Sequence, residues 1–265
     1  MAKGFRGVRG KKRRRMTDNK TGTREWADHN VNCVLGCIND CRYCYAKIMA
    51  KRFGRATEST WKIMTVRKSA LSQQFPKYQG RVMFPSSHDI VDIPEVEQAC
   101  FNVLAKLLEC GNNVLLTTKP RKSIIKKIDK LFPNFKDQIQ FRFTITSRND
   151  DLLKFWEPNA PLFEERMSCL EFAFSNDYKT SVSIEPFLDH DPQTLVKMVA
   201  AYSTESIWIG KMNYIPRNHL PESCLFYYSE IRKNCEKEHL LKIHNDLKDF
   251  PKIRFKDSIR SALSL

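Results

Sequence analysis

The sequence lacks any long hydrophobic run. Among its 265 residues, no stretch of about 18 consecutive apolar residues occurs, which argues against a membrane-spanning helix. The N-terminus also has no apolar segment after its charged residues, unlike a secretory signal. We therefore expect a protein of the cytoplasm that has no membrane partner.

The sequence also lacks the even, dispersed cysteines of a disulfide framework. It has nine cysteines, and four of them lie within twelve residues, at Cys33, Cys37, Cys41 and Cys44. The other five are scattered through apparent helices. An odd total with one dense cluster indicates a metal site together with reduced, mostly buried thiols.

Positive charge is concentrated at the N-terminus. Residues 1–24 hold ten Lys or Arg and one acid, which gives +9 of the total +15. Such a segment, without apolar periodicity, predicts a disordered basic arm over residues 1–25. Two interpretations stay open: the arm binds a phosphate backbone, or it is a solvated tail that attracts polyanions without a specific role.

From Trp26 onward, short runs of apolar and β-branched residues alternate with helical patterns. The candidate strands are Arg81–Phe84, Asn113–Thr118, Gln140–Thr146, Thr180–Glu185 and Ser206–Gly210, with a weaker one at Ala27–Cys33. Their nearly continuous apolar character is typical of strands buried on both faces. This alternation predicts an α/β fold over residues 26–220, a partial (open) parallel β/α barrel of about six strands. A doubly wound sheet is the structural alternative.

Charged helical patterns follow the barrel. Residues 221–265 are predicted to form a helical extension packed on its flank or its open edge, with one long helix from Phe226 to Lys248. No internal repeat and no second domain is apparent in the sequence.

The dense cysteine cluster has the spacing of a metal-binding loop. Cys37, Cys41 and Cys44 are separated by three and then two residues, and three thiolates so spaced can hold one face of an iron–sulfur cluster. Structural zinc is the competing interpretation, but zinc sites usually need a second ligand pair, and no further Cys-x2-Cys or His-x3–5-His pair follows. Cys33 is interpreted as a structural thiol near the cluster.

These motifs resemble those of the radical S-adenosylmethionine superfamily. The resemblance rests on Cys37-x3-Cys41-x2-Cys44, with Tyr43 before the last cysteine. Within the superfamily, the spore photoproduct lyase-like branch, with its uncharacterised phage and bacterial relatives, is the most similar. The residues that carry this similarity are Cys41–Ala46, Ser86–Ile90, Thr117–Pro120, Thr146–Ser147 and Ser183–Pro186. The resemblance implies a [4Fe–4S] cluster and S-adenosylmethionine, whose reductive cleavage yields a 5′-deoxyadenosyl radical.

The same resemblance suggests cofactor ligands at the predicted strand ends. Lys119 is expected to pair with the cofactor carboxylate, and Ser147 to bind that carboxylate or the ribose. Ser87 and His88 are expected near the cofactor amino group, and Glu185 near the ribose hydroxyls. Each of these residues could instead have an ordinary structural role, since a surface lysine, a structural histidine and an exposed glutamate are all common.

Tyr43 and Tyr45 flank Cys44 and are the candidate catalytic residues. In the lyase-like branch, tyrosines here relay hydrogen atoms, a role that needs a partner cysteine in the Ser86–His88 segment. This chain has no cysteine there, so repair of thymine dimers is in doubt. Packing of aromatic rings around the cluster is sufficient to explain Tyr43.

The sequence therefore predicts a radical S-adenosylmethionine enzyme that acts on a nucleic acid or nucleotide and receives electrons from a donor such as a flavodoxin or ferredoxin. The nucleic-acid part rests on charge and on family analogy. One alternative is radical chemistry on a peptide or small molecule, recognised by the insertion Trp61–Gly80. Another is a non-catalytic, metal-containing protein that binds nucleic acid.

Overall fold

A curled sheet of parallel strands organises the computed structural model, which describes residues 20–216, 218 and 220–265. The strands are β1 (His29–Asn30), β2 (Val34–Leu35), β3 (Thr65–Val66), β4 (Arg81–Phe84), β5 (Asn113–Thr118), β6 (Ile139–Thr144), β7 (Lys179–Ile184), β8 (Ile207–Ile209) and β9 (Ile253–Phe255). The main sheet has the order β1-β4-β5-β6-β7-β8-β9, and every neighbouring pair is parallel. Strands β2 and β3 form a separate antiparallel pair.

Helices connect the parallel strands, as a parallel sheet requires. They are α1 (Tyr45–Arg52), α2 (Lys68–Ser72), α3 (Pro94–Glu109), α4 (Lys122–Leu131), α5 (Asp150–Trp156), α6 (Phe163–Ser175), α7 (Gln193–Ala200), α8 (Leu225–Asn234), α9 (Lys237–Leu247) and α10 (Asp257–Leu263). Among the described residues, no helix is both long and apolar enough to cross a bilayer.

The predicted fold class, an open parallel β/α barrel, is confirmed. Strands β4 and β5 have the predicted bounds, and the weak strand before Cys33 forms as β1. The sheet has seven strands, not six, because β9 from the predicted helical extension pairs with β8. The single long helix predicted from Phe226 to Lys248 is wrong: Glu236 is extended, with φ −66° and ψ 144°, and separates α8 from α9.

The two edge strands, β1 and β9, leave a seam that residues 20–28 cross. In this seam segment, Gly22 donates its N–H to Asp257 at 2.9 Å and accepts a hydrogen bond from Lys256 at 2.7 Å. Thr23 accepts a hydrogen bond from Asn30, on β1, at 3.0 Å. The segment, which includes the short 3₁₀ helix Gly22–Glu25, therefore joins the two edges of the half-barrel. Most of the predicted arm, residues 1–19, lies outside the described residues.

Candidate functional site

A cavity of about 500 Å³ lies at the carboxyl ends of the parallel strands, between the cysteine loop and the seam segment. This is the edge where functional side chains gather in β/α barrels. All but one of the predicted site residues line it: Cys37, Cys41, Cys44, Tyr43, Tyr45, Ser87, His88, Lys119 and Glu185. Ser147 does not.

The cysteine loop is held by close backbone contacts. Gly36 has a φ of +89°, and a Cβ at this position would lie 2.4 Å from the carbonyl oxygen of Ile63, so only glycine fits. Cys37 donates its N–H to the carbonyl oxygen of Trp61 at 2.9 Å. The loop ends where Cys44 caps α1. These contacts direct the three thiols to one cavity.

Burial controls the ionisation of the three thiols. It raises the pKa of Cys37 to about 12 and raises the pKa values of Cys41 and Cys44, while the positive charge of Lys119 opposes these shifts. In the absence of a metal the thiols are therefore protonated, and binding iron as thiolates would release their protons. Three sulfur donors that face one cavity suit a cluster with one open iron, and a resident [4Fe–4S] group is compatible with this donor set.

A buried ionic network lies behind Lys119. Glu157, 1% exposed, pairs with Arg166 and accepts hydrogen bonds from Tyr43 and Thr146. Lys119 Nζ lies 3.9 Å from Glu157 Oε1. Burial opposes ionisation of Glu157, but Arg166 and Lys119 hold its pKa below the ordinary value. Burial likewise opposes the charge of Lys119, yet the carboxylate of Glu157 raises its pKa. Lys119 is thus a fixed cation at the cavity wall.

Asp89 connects the cysteine loop to the end of β5. Its carboxylate accepts hydrogen bonds from the Asn39 side chain at 2.7 Å, from the backbone N–H of Lys119 at 3.0 Å and from Thr118. Asn39 belongs to the loop between Cys37 and Cys41. Asp89 is therefore a positioning residue, since it fixes the distance between the thiols and Lys119.

Both candidate tyrosines have engaged hydroxyl groups. Tyr43 donates to Glu157, and Tyr45 donates to the carbonyl oxygen of Ser86 at 2.8 Å. The Tyr45 side chain lies at the cavity mouth, and the residue is 44% exposed. These bonds orient the rings beside Cys44, and neither hydroxyl faces a cysteine of the Ser86–His88 segment, which has none.

Two predicted ligands are placed differently from the rest. Ser147 is fully buried, and its hydroxyl donates to Asp189, so its side chain fixes the chain after β7 and its predicted contact with the cofactor stays a prediction. His88 lines the cavity, but its Nε2 accepts a hydrogen bond from the backbone N–H of Cys33 at 3.2 Å.

Glu185 is an acid without a hydrogen-bond partner among the described residues. It follows β7, and a Cβ at Gly210 would lie 2.6 Å from its Cγ, so the glycine leaves room for its side chain. Burial raises the pKa of Glu185 from 4.5 to about 7. The carboxylate is available for a hydroxyl donor in the cavity.

The raised pKa of Glu185 predicts a pH-dependent stability. Between about pH 4.5 and about pH 7 the folded state keeps a proton that the unfolded chain loses. The free energy of unfolding should therefore fall as pH rises through this window, by up to about 1.4 kcal/mol per pH unit. Urea unfolding of the Glu185→Gln variant should lack this fall, while the exposed control Glu171→Gln should retain it. Equal pH dependence in wild type and Glu185→Gln would contradict the assignment.

Sequence reasoning missed several residues of the cavity and its support. Glu157 follows no strand and lies 114 residues from Tyr43, so no local signal marks it. Lys211, Tyr214 and Lys256 line the cavity from the region after β8 and β9. The strand β8 was predicted, and polar residues at its carboxyl end are the signal that was available for Lys211.

Two proteins of known sequence are similar to part of this chain. No family model matches it. An uncharacterised protein of Acidianus two-tailed virus is 26% identical over 172 residues, which cover 61% of this chain and 55% of that protein. One from Methanocaldococcus jannaschii is 24% identical over 162 residues, which cover 61% of each chain. The matches thus span less than two thirds of either relative.

Solved structures share the fold. A spore photoproduct lyase variant superposes with a TM-score of 0.55 at 14% identity, covering 95% of this chain and 87% of that one. Another variant, with bound AdoMet and dinucleoside spore photoproduct, gives 0.53 at 14% identity over 86% and 76% of the chains. SuiB of Streptococcus suis, bound to S-adenosylmethionine, gives 0.51 at 10% identity over 86% and 47%. The fold implied by the sequence resemblance is therefore confirmed.

Proposed function

We propose that the protein is a radical S-adenosylmethionine enzyme. The observation that carries the proposal is the convergence of Cys37, Cys41 and Cys44 with Lys119 at one cavity. This cavity lies at the carboxyl ends of a parallel half-barrel, where barrel enzymes form their sites. The shared fold with spore photoproduct lyase and SuiB supports the proposal.

Each chemical role falls to a residue of the cavity. When bound, the cluster and S-adenosylmethionine supply a one-electron cleavage of a carbon–sulfur bond that yields a carbon radical. Cys37, Cys41 and Cys44 hold the iron as thiolates. Lys119 pairs with the cofactor carboxylate, since a fixed ammonium group beside the thiols suits an anion. Glu185 accepts hydrogen bonds from the ribose hydroxyls.

The remaining predicted residues shape the site. Ser87 and His88 present backbone polar groups to the cofactor amino group from the loop after β4, since both ring nitrogens of His88 have other partners. Tyr43 and Tyr45 pack beside Cys44 and restrict water. The electron donor is a small redox protein such as a flavodoxin or ferredoxin. The nine unpaired cysteines suit the reducing cytoplasm.

The test is anaerobic reconstitution with iron and sulfide. The protein should bind about four irons per chain and become brown through sulfur-to-iron charge transfer. With a strong reductant it should convert S-adenosylmethionine to 5′-deoxyadenosine, measured by chromatography. A protein that binds zinc but no iron, or iron without any cleavage, would refute the proposal.

Lys119→Met should weaken the binding of S-adenosylmethionine. Loss of one charged hydrogen bond costs about 1.5–3 kcal/mol, which is roughly a 10- to 150-fold rise in Kd. Isothermal titration of the reconstituted protein measures this change, and Lys126→Met, at an exposed position of α4, is the control. An unchanged Kd in Lys119→Met would remove Lys119 from the cofactor site.

For the substrate, we propose a nucleic acid or nucleotide. Lys211 adds a cation to the cavity, and Tyr45 and Tyr214 lie at its lining with 44% and 58% exposure. Cations suit phosphates, and aromatic rings suit unstacked bases. The presence of a dinucleoside photoproduct in a structural neighbour supports the same class. A target atom inside the cavity must leave any duplex, so single strands and loops should be preferred.

Deletion of residues 1–19 should weaken nucleic-acid binding at every sequence. The deletion removes eight Lys or Arg and one acid but keeps the seam segment. Phosphate contacts set affinity without reading sequence, and losing each contact should flatten the salt slope by about 0.9 on duplex or about 0.7 on a single strand. Fluorescence anisotropy across a salt series measures both effects, and an arm of equal length with glutamine at the eight positions is the control.

One outcome would exclude the arm from binding, and another would contradict the nucleic-acid proposal as a whole. An unchanged salt slope after the deletion would exclude the arm from binding. If neither form binds RNA or DNA above a neutral competitor at physiological salt, a peptide or small molecule becomes the leading substrate class.

A further inference from the structure

A second group of metal-ligand side chains lies behind the cysteine loop and includes none of the three proposed cluster thiols. Cys33, His88 and Cys100 converge in the core, with 0%, 8% and 0% exposure. Their ligand atoms all lie within 4.8 Å of one another. They come from three different places in the fold: the residue before β2, the loop after β4, and α3. The fold therefore brings together residues that are 55 and 67 positions apart.

The spacing of this Cys33–His88–Cys100 group is close to that of ligands around one tetrahedral metal. The Sγ atoms of Cys33 and Cys100 are 3.7 Å apart, and Cys33 Sγ lies 4.0 Å from His88 Nε2. A tetrahedral zinc with ordinary bond lengths separates two thiolates by about 3.8 Å and a thiolate from an imidazole nitrogen by about 3.6 Å. The third pair, Cys100 Sγ and His88 Nε2, lies within 4.8 Å, so a metal would draw these two atoms together by at most about 1.2 Å.

The imidazole of His88 is oriented as a metal ligand. Its Nδ1 lies 3.1 Å from the carbonyl oxygen of Asp89 and donates to it, which leaves Nε2 as the nitrogen with a free lone pair. A ligating histidine ordinarily donates its other ring N–H to a carbonyl or carboxylate in this way. Nε2 now accepts the N–H of Cys33, a single weak bond that a metal would replace.

The charges around the group favour a divalent cation. The Sγ atom of Cys33 contacts Sγ of Cys100 and Nε2 of His88, so a cation placed between them would have two sulfur donors and one nitrogen donor. The surroundings are otherwise apolar, and both cysteines belong to the main hydrophobic core. Two thiolates and a neutral imidazole around a 2+ ion carry no net charge, which is the form that an apolar interior accepts.

We propose that Cys33, His88 and Cys100 form a structural zinc site, distinct from the iron–sulfur cluster. Two sulfur donors and one imidazole are a borderline-soft set that selects zinc over magnesium or calcium. The three residues leave one position of a tetrahedral site for a non-protein ligand. The metal connects β2, the loop after β4 and α3, and thereby anchors the loop that carries Cys37.

The test is metal analysis together with zinc-edge X-ray absorption of the full chain. Protein reconstituted anaerobically in the presence of zinc should hold one zinc in addition to its iron. The absorption spectrum should show two sulfur neighbours at about 2.3 Å and nitrogen or oxygen neighbours at about 2.0–2.1 Å. A zinc-free protein, or a zinc surrounded by four sulfurs, would overturn the proposal.

Variants separate the two metal sites. Cys100→Ser should lose the zinc and keep the iron, while Cys169→Ser, equally buried at 0% in α6, should keep both. In a triple variant with alanine at Cys37, Cys41 and Cys44, added Co²⁺ should still give the intense absorption of tetrahedral cobalt with thiolate ligands. Loss of cobalt binding in the triple variant would overturn the zinc site, and so would a disulfide between Cys33 and Cys100 in anaerobically purified protein. Iron content reports on the proposed function separately.

Discussion

Cys41→Ala should abolish iron binding and, with it, all cleavage of S-adenosylmethionine. In the proposed site three thiolates would hold the cluster, so the loss of one would leave two irons without a protein ligand. The expected result is an iron content near zero after reconstitution and no 5′-deoxyadenosine. Iron assay, visible absorption and chromatography of the products measure it.

The matched control for Cys41→Ala is Cys169→Ala. Cys169 is equally a buried thiol, but it lies in α6 and does not line the cavity. Its removal should leave iron content and cleavage unchanged. If Cys41→Ala retains a full cluster, the ligand assignment is wrong, whatever the activity.

Among the proposed variants, Glu157→Ala should cause the largest decrease in the free energy of unfolding. Glu157 and Arg166 have fully buried side chains, with 0% exposure each, and removing the carboxylate leaves the guanidinium without its counterion. Breaking a buried ion pair from one side costs about 3–5 kcal/mol. Tyr43 and Thr146 would also lose the acceptor of their hydroxyl groups. Urea unfolding of the anaerobic protein measures the change.

Two further variants locate the cause of the Glu157 effect. Glu157→Gln keeps an acceptor for Tyr43 and Thr146 but removes the charge, so it should lose less stability than Glu157→Ala. Glu171→Ala, at an exposed position of α6, should change the free energy of unfolding by less than about 0.5 kcal/mol. A loss below about 1 kcal/mol in Glu157→Ala would mean that Arg166 finds another partner.

The sequence predicts the sheet well because its central strands are buried on both faces. Asn113–Thr118 has five buried residues in six, and this nearly continuous run of apolar and β-branched residues is visible without any tertiary information. The sequence pattern does not predict β9, because this strand has only three residues, Ile253–Phe255, and one of them is exposed. The break after Asn234 also carries no local signal, since neither glycine nor proline marks it. Asn234 instead bonds to His190 across the fold.

The cysteine motif predicts the candidate site because its spacing is local, and most of the proposed ligands follow strands whose ends share one edge of the sheet. Contacts over long sequence distances decide the rest. His88 faces both the cavity and Cys33, and only the packing of α3 brings Cys100 to it. Ser147 follows a predicted strand like the other proposed ligands, yet its hydroxyl bonds to Asp189, 42 residues later.

The seam segment also determines when the cavity wall is complete during protein synthesis. The hydrogen bond between Gly22 and Asp257 joins residues 235 positions apart, and both residues line the cavity. A ribosome synthesises the chain from its N-terminus. Residues 20–28 therefore cannot form their contacts with Lys256 and Asp257 until β9 and α10 have emerged. The central strands can pair earlier, as domains fold progressively during translation. A nascent chain that stops before Asp257 therefore lacks this closure, and its cavity is open to solvent on one side.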